Sequence, residues 1–173
     1  MSSLNKGLER IEVGLLWDPS PAGSARHDLD LVAATYTVDA PSVAPAYLVH
    51  FDSRAPDGTI TLTRDSPDGK GLGVDESLVL ELDRLAHRYL RVVVGVAIQQ
   101  NAGRLTFGDI ANPVVKIRNG RDEFAVVDLS DAGEATAARV AEFVRDSSGA
   151  WGFRPGVHGF DADPTTFARI MGT

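Results

Sequence analysis

The segment "TRDSPDGKGLGVDE" (63–76) gathers carboxylates on a glycine-rich stretch that has few residues suited to a core. Its acids are Asp65, Asp68, Asp75 and Glu76. Calcium takes about six to eight oxygen ligands from carboxylates, backbone carbonyls and water, and it favours flexible loops. Glycines let a loop turn its carbonyls inward. The segment is therefore either a cation-binding loop or an ordinary solvated turn.

A second pair of acids, Asp28 and Asp30, stands at the start of a predicted strand. Residues i and i+2 of a strand share a face, so both carboxylates project at one end of a sheet. The EF-hand pattern does not fit the glycine-rich segment. With Asp65 at the first position, Pro67 and Lys70 occupy positions that need a ligand and a glycine. Any calcium site here is of another kind.

Most enzyme motifs do not fit the sequence. There is no cysteine and no G-x-S-x-G elbow, and "GKG" (69–71) lacks the rest of a P-loop. The histidines are scattered without a metal-ligand spacing: His27, His50, His87 and His158. An enzyme built on this chain would use Asp28 with Glu76 as an acid/base pair or with a metal-activated water.

Composition narrows the class of protein. The formal net charge is −7, which repels phosphate backbones, so we expect no nucleic-acid partner. The segment "MSSLNKGLER" has no apolar h-region, and the run "VVVGVAI" (92–98) is too short to span a bilayer. We therefore expect a cytoplasmic protein without a membrane span.

The elements that must position the acids follow a period of two, which is typical of strands. "TITLT" (59–63) and "SLVLEL" (77–82) alternate, and "YLRVVVGVAI" (89–98) predicts a strand buried on both faces. The remaining predicted strands are 11–17, 31–38, 46–51, 113–119 and 122–129. Turn signals separate them, which favours a sandwich or a barrel in a single domain over 1–173.

Two segments favour helix instead. "GEATAARVAEFVRD" (133–146) places Ala137, Val140, Ala141 and Val144 at helical spacing and is rich in alanine. "DPTTFARIMG" (163–172) has an acid suited to the N-cap followed by proline at the first helical position. The second segment predicts a short C-terminal helix.

A series of motifs in order resembles the TerD family of tellurium-resistance and stress proteins. The segments "LLWDPSPAGSARHDLDLVA" (15–33) and "SRAPDGTITLTRDSPDGKGLGVDESLVLEL" (53–82) are similar to its G-W-D, D-L-D, S-P-D-G and G-x-G-x-D-D-E motifs. "LTFGDIANPVVKI" (105–117), "VVDLSDAGEATA" (126–137) and "GAWGFRPGVHGF" (149–160) follow in register. The resemblance implies an all-β, two-sheet antiparallel β-sandwich, with a strand rather than a helix at 137–145.

The resemblance also implies a calcium-binding, non-enzymatic stress-response domain that acts through protein partners. Its metal ligands map onto these residues: Asp28, Asp30, Asp65, Asp68 as a partial substitute, Asp75 and Glu76. This chain departs from the pattern at Arg64, which places a cation beside the acids, and at Leu72 and Val74, which replace acids. The departures favour one weakened calcium site or none. The alternative is a metal-free member that serves as a protein-interaction module.

Overall fold

The computed structural model describes residues 7–42, 44–51, 53–65, 68–70, 73–101 and 103–173. These residues form two five-stranded antiparallel sheets and one α-helix, which confirms the predicted sandwich. The strands are β1 (Arg10–Leu16), β2 (Leu29–Thr37), β3 (Tyr47–Val49), β4 (Ile60–Arg64), β5 (Glu76–Glu81), β6 (Tyr89–Ile98), β7 (Val114–Asn119), β8 (Asp122–Asp128), β9 (Ala137–Arg145) and β10 (Trp151–Phe160). The helix α1 is Pro164–Ile170, and short 3-10 turns occupy Leu82–Arg84, Phe107–Asp109 and Leu129–Ala132.

The two sheets differ in their strand order. Sheet one runs β4-β5-β1-β7-β8 and sheet two runs β10-β9-β6-β2-β3. Alternate residues of the strands pack between the sheets, as in β1, where Ile11, Val13 and Leu15 are fully buried. The period-two pattern of the sequence therefore marks the inner faces correctly.

Helix α1 explains why the central strand β6 is buried on both faces. Phe167 of the helix is fully buried in a second cluster with Val32, Val93 and other residues on the outer face of sheet two. A side-chain carbon at Gly95 would lie 2.5 Å from the Phe167 ring, so glycine leaves room for it. The helix starts as predicted, because the Asp163 carboxylate accepts a hydrogen bond from the Thr166 amide at 2.8 Å.

The helical interpretation of 133–146 is wrong, and the strand implied by the family resemblance is correct. Strand β9 lies between β6 and β10 and bonds to both. Both ladders shift register at Val140, which marks a β-bulge. The bulge lets Val140 and Ala141 enter the core together with Ala138. The resulting i, i+3 spacing imitates a helix, and pairing on both edges overrides the alanine propensity.

Among the described residues, no helix has the length and apolar character needed to cross a membrane.

Candidate metal centre

Three strand ends bring the predicted acids to one end of the sandwich. Asp28 and Asp30 lie at the start of β2, in sheet two. Asp65 directly follows β4 and Glu76 begins β5, both in sheet one. Because β4 and β5 pair antiparallel, the end of one lies beside the start of the other. The acids therefore come from both sheets and face one another across the core.

Asp30, Asp65 and Glu76 form the centre of this group, and one carboxylate oxygen from each lies within 4.8 Å of the others. Glu76 is 1% exposed and Asp30 is 5% exposed, whereas Asp65 is open to solvent. Three ionised carboxylates at this separation repel one another strongly in a partly buried place. A cation or a bound proton is needed to offset that repulsion.

Hydrogen bonds hold two of these carboxylates in place. The Leu31 amide donates to Glu76 Oε2 at 2.6 Å, which joins the two sheets at this end. The Gln99 side-chain amide donates to Asp30 Oδ2, and the Gln99 backbone amide donates to the Asp28 carbonyl at 2.9 Å. The oxygens left over are fixed in position rather than free to turn away.

Two carboxylate oxygens in this group are buried without a hydrogen-bond partner among the described residues. They are Glu76 Oε1 and Asp28 Oδ1. A buried carboxylate oxygen without a donor is costly unless a proton or a metal ion satisfies it. Hard oxygen donors of this kind suit calcium, so the residues present fit that ion.

The pKa values of these acids are raised. Burial, then the interaction with Asp65, raises the pKa of Glu76 to about 11, so the metal-free carboxyl carries a proton. Burial, then the charges of Asp30 and Asp65, raises the pKa of Asp28 to about 7. Burial also raises the pKa of Asp30, although the bond from Gln99 opposes this. A cation that binds here has to displace protons.

The other two predicted ligands lie to one side. Asp75 is buried, and its Oδ2 accepts a hydrogen bond from the Trp17 backbone amide at 2.9 Å. Burial raises the pKa of Asp75, while the Trp17 bond and the charge of Arg64 lower it. Asp68 accepts from the Lys70 amide at 3.0 Å, and the Lys70 ammonium lies 3.9 Å from its other oxygen. The chain thus places its own cations beside Asp75 and Asp68.

Trp17 fixes the loop that carries Asp68. A side-chain carbon at Gly69 would lie 2.5 Å from the indole nitrogen, and the positive φ of +75° at this residue also requires glycine. The indole nitrogen itself donates to the His27 carbonyl at 2.9 Å. The glycine-rich composition therefore permits close packing on a tryptophan at this point. Other residues of the loop discussed from the sequence lie outside the described residues: Pro67, Gly71 and Leu72.

Sequence reasoning missed two residues that shape the site. Gln99 directly follows β6, and the pairing of β6 with β2 places it beside Asp28. The strand register would have revealed it, but the sequence alone does not give that register. Trp17 precedes an aspartate in the sequence, yet its backbone bond to Asp75 spans 58 residues.

Comparison with known proteins decides the family. The TerD domain model matches residues 1–169. The chain belongs to the TerD family. It is 30% identical over 159 residues to a tellurium resistance protein TerD from Alcaligenes sp., covering 89% of this chain and 82% of that protein. It is 24% identical over 159 residues to general stress protein 16U of Bacillus subtilis (strain 168), covering 88% and 82% of the two chains.

Solved structures of TerD homologues have the same sandwich. A homologue of telluride resistance protein (TerD) from Streptomyces coelicolor A3(2) is 49% identical, with a TM-score of 0.93 over 96% of this chain and 99% of that one. A protein described as of unknown function is 54% identical, with a TM-score of 0.94 over 96% and 98% of the two chains. These likenesses confirm the TerD resemblance and the fold implied by it.

Proposed function

We propose that this TerD-family chain binds one calcium ion between Asp30, Asp65 and Glu76 and acts as a non-enzymatic stress-response domain. The observation that carries the proposal is the buried Glu76 Oε1, which has no hydrogen-bond partner among the described residues and belongs to a carboxylate grouped with those of Asp30 and Asp65, one oxygen of each lying within 4.8 Å of the others. Asp28, with its own unpartnered oxygen, is the fourth ligand. A cytoplasmic location, protein partners and the lack of enzymatic activity stay predictions from the sequence.

Calcium suits this arrangement better than magnesium. The ligands come from three separate strand ends, and Asp65 is exposed at the edge of the group. Calcium accepts such irregular shells, whereas magnesium demands a near-ideal octahedron and retains its water. Asp75 and Asp68 are left out of the proposed site, because Arg64 and Lys70 already supply positive charge beside them.

The test is a titration with calcium and with magnesium, read by mass spectrometry under non-denaturing conditions and by thermal unfolding. We expect one bound calcium ion, a raised melting temperature and a much smaller effect of magnesium. Asp28→Asn combined with Glu76→Gln removes the calcium effect, and Glu134→Gln, an exposed acid elsewhere, preserves it. Calcium that leaves both readouts of the wild-type protein unchanged contradicts the proposal.

A second candidate function is a metal-free protein-interaction module. The observation that favours it is the pair of cations beside Asp68 and Asp75, since Lys70 lies 3.9 Å from Asp68 and the Arg64 charge acts on Asp75. In this case the proton on Glu76, rather than an ion, neutralises the buried acids. The same titration separates the two functions.

A further inference from the structure

A cleft opens beside the proposed calcium site, where the edge strand β3 of sheet two approaches the edge strand β4 of sheet one. Its volume is about 540 Å³, within the range of small-molecule sites. Val49 of β3 and Leu62 of β4 form part of its lining, and Asp65 lies at the end of β4. Asp65 therefore belongs both to the cleft and to the proposed cation site, so a molecule at this end of the cleft would lie beside the proposed ion.

One wall of the cleft is apolar and exposed. The Phe51 side chain lines the cleft and is 57% exposed. Its ring packs against the His50 ring, with the ring centroids 5.5 Å apart. The backbones of His50 and Ser53 exchange two hydrogen bonds, of 3.0 and 3.1 Å. An exposed aromatic ring beside these bonded residues provides a contact surface for an apolar group.

With calcium bound as proposed, the charges at the cleft favour an anion. Arg54 lines the cleft, is exposed and makes no ion pair with any carboxylate in the described part of the chain. A calcium ion held by the exposed Asp65 keeps water on its open side, and an anionic oxygen can replace that water. The guanidinium and the ion would then both contact one carboxylate or phosphate group.

We infer that this cleft binds an organic anion, a carboxylate or phosphate monoester that carries an apolar group. The anionic group ligates the calcium ion and binds Arg54, and the apolar group packs on Phe51 and Leu62. The inference rests on the proposed calcium site. A polyanion such as nucleic acid does not fit, because the net charge of −7 of the protein repels it. A small anion interacts mainly with the charges that line the cleft.

The test uses phenyl phosphate as the probe in isothermal titration calorimetry, with calcium or with EGTA. We expect binding to weaken by about tenfold or more in EGTA and in Arg54→Gln, since each loses a charge-assisted contact. Arg121→Gln, at another exposed arginine that does not line the cleft, is the matched control and keeps the affinity. Phe51→Ala weakens phenyl phosphate but leaves inorganic phosphate unchanged. Equal affinity for phenyl phosphate in calcium and EGTA, or in wild type and Arg54→Gln, overturns the inference.

Calcium binding is measured separately by mass spectrometry. Failure of the proposed calcium site can therefore be distinguished from failure of the proposed anion-binding cleft. A protein that binds calcium but not phenyl phosphate retains the proposed function and loses this inference, whereas a protein that binds no calcium loses both. Sedimentation with phosphatidylcholine vesicles, with or without phosphatidic acid, identifies the source of the anion. Calcium-dependent retention that Arg54→Gln abolishes assigns a lipid headgroup. Phenyl phosphate binding without retention assigns a soluble metabolite.

Discussion

Glu76→Gln distinguishes the two roles proposed for this side chain: a calcium ligand, and the holder of a proton when no metal is bound. The pKa of Glu76 is raised from 4.5 to about 11, mainly by burial, so the metal-free side chain is neutral at pH 7. Glutamine is neutral and of similar shape. At pH 7 we therefore expect the substitution to change the free energy of unfolding of the metal-free protein little, while it removes a proposed calcium ligand.

The raised pKa of Glu76 determines the direction in which the free energy of unfolding changes with pH. Between pH 4.5 and 11 the folded protein holds a proton on Glu76 that the unfolded chain has lost, so the free energy of unfolding falls as pH rises. Each pH unit in this window costs about 1.4 kcal/mol, which gives about 3 kcal/mol between pH 4.5 and 7. The glutamine variant lacks this contribution, so its metal-free stability depends less on pH than that of the wild type.

Calcium supplies the second readout. At a hundredfold excess over its dissociation constant, a ligand of the folded state stabilises it by about 2.7 kcal/mol, which corresponds to about 5–10 °C in a chain of this size. Loss of one carboxylate ligand that weakens binding tenfold reduces the gain to about 1.4 kcal/mol. Thermal and denaturant unfolding at pH 5 and 7, with calcium or EGTA, measure both effects.

The control is Glu134→Gln, which removes one exposed carboxylate far along the chain from the cluster. It should follow the wild type in every condition. A Glu76→Gln variant that keeps the whole calcium shift shows that this carboxylate is not a ligand. A metal-free wild type whose pH dependence equals that of the variant shows that Glu76 does not hold the proton.

Three further substitutions test the surroundings of the site and the fold. Gln99→Ala removes the side-chain amide that donates a hydrogen bond to the Asp30 carboxylate. We expect calcium affinity to fall severalfold while the circular dichroism spectrum stays unchanged. An unchanged dissociation constant in calorimetry contradicts this expectation. Arg64→Gly removes positive charge beside the acids and should tighten calcium binding in the same titration, unless Arg64 acts too far from the ion. Gly95→Ala places a carbon 2.5 Å from the buried ring of α1 and should cost about 1–3 kcal/mol, whereas an unshifted denaturant midpoint refutes that packing.

The sequence predicts the strands well because one buried face imposes a period of two. It fails in β9, where the bulge at Val140 breaks the alternation and the residue spacing becomes that of a helix. The two patterns are locally equivalent there. Only the hydrogen-bonding partners on both sides decide between them, and the sequence of a single segment does not contain those partners.

The candidate site is predictable in its residue types but not in its grouping. The acidic, glycine-rich segment 63–76 correctly indicates which end of the sandwich carries the cluster of carboxylates. Which acids meet depends on how sheet one lies over sheet two, as in the bond from the Leu31 amide to Glu76, 45 residues apart. For the same reason, residues adjacent in the sequence have different surroundings in the fold. Glu76 lies in the group with Asp30, whereas Asp75 accepts a hydrogen bond from the Trp17 backbone amide.

The position of the cluster indicates what an ion would do for this protein. Asp30 belongs to sheet two, and Asp65 and Glu76 belong to sheet one, so an ion held between them links the two sheets at one end. The hydrogen bond from the Leu31 amide to Glu76 Oε2 already links the two sheets, and it leaves the other oxygen of Glu76 without a hydrogen-bond partner among the described residues. Under the proposed function, replacing the Glu76 proton with calcium would convert repulsion between the sheets into a common ligand shell. The same replacement adds positive charge at Asp65, on the border of the cleft between β3 and β4. If the protein binds calcium as proposed, a change in calcium concentration would therefore alter both the stability of the sandwich and the charge beside the cleft, at one place in the fold.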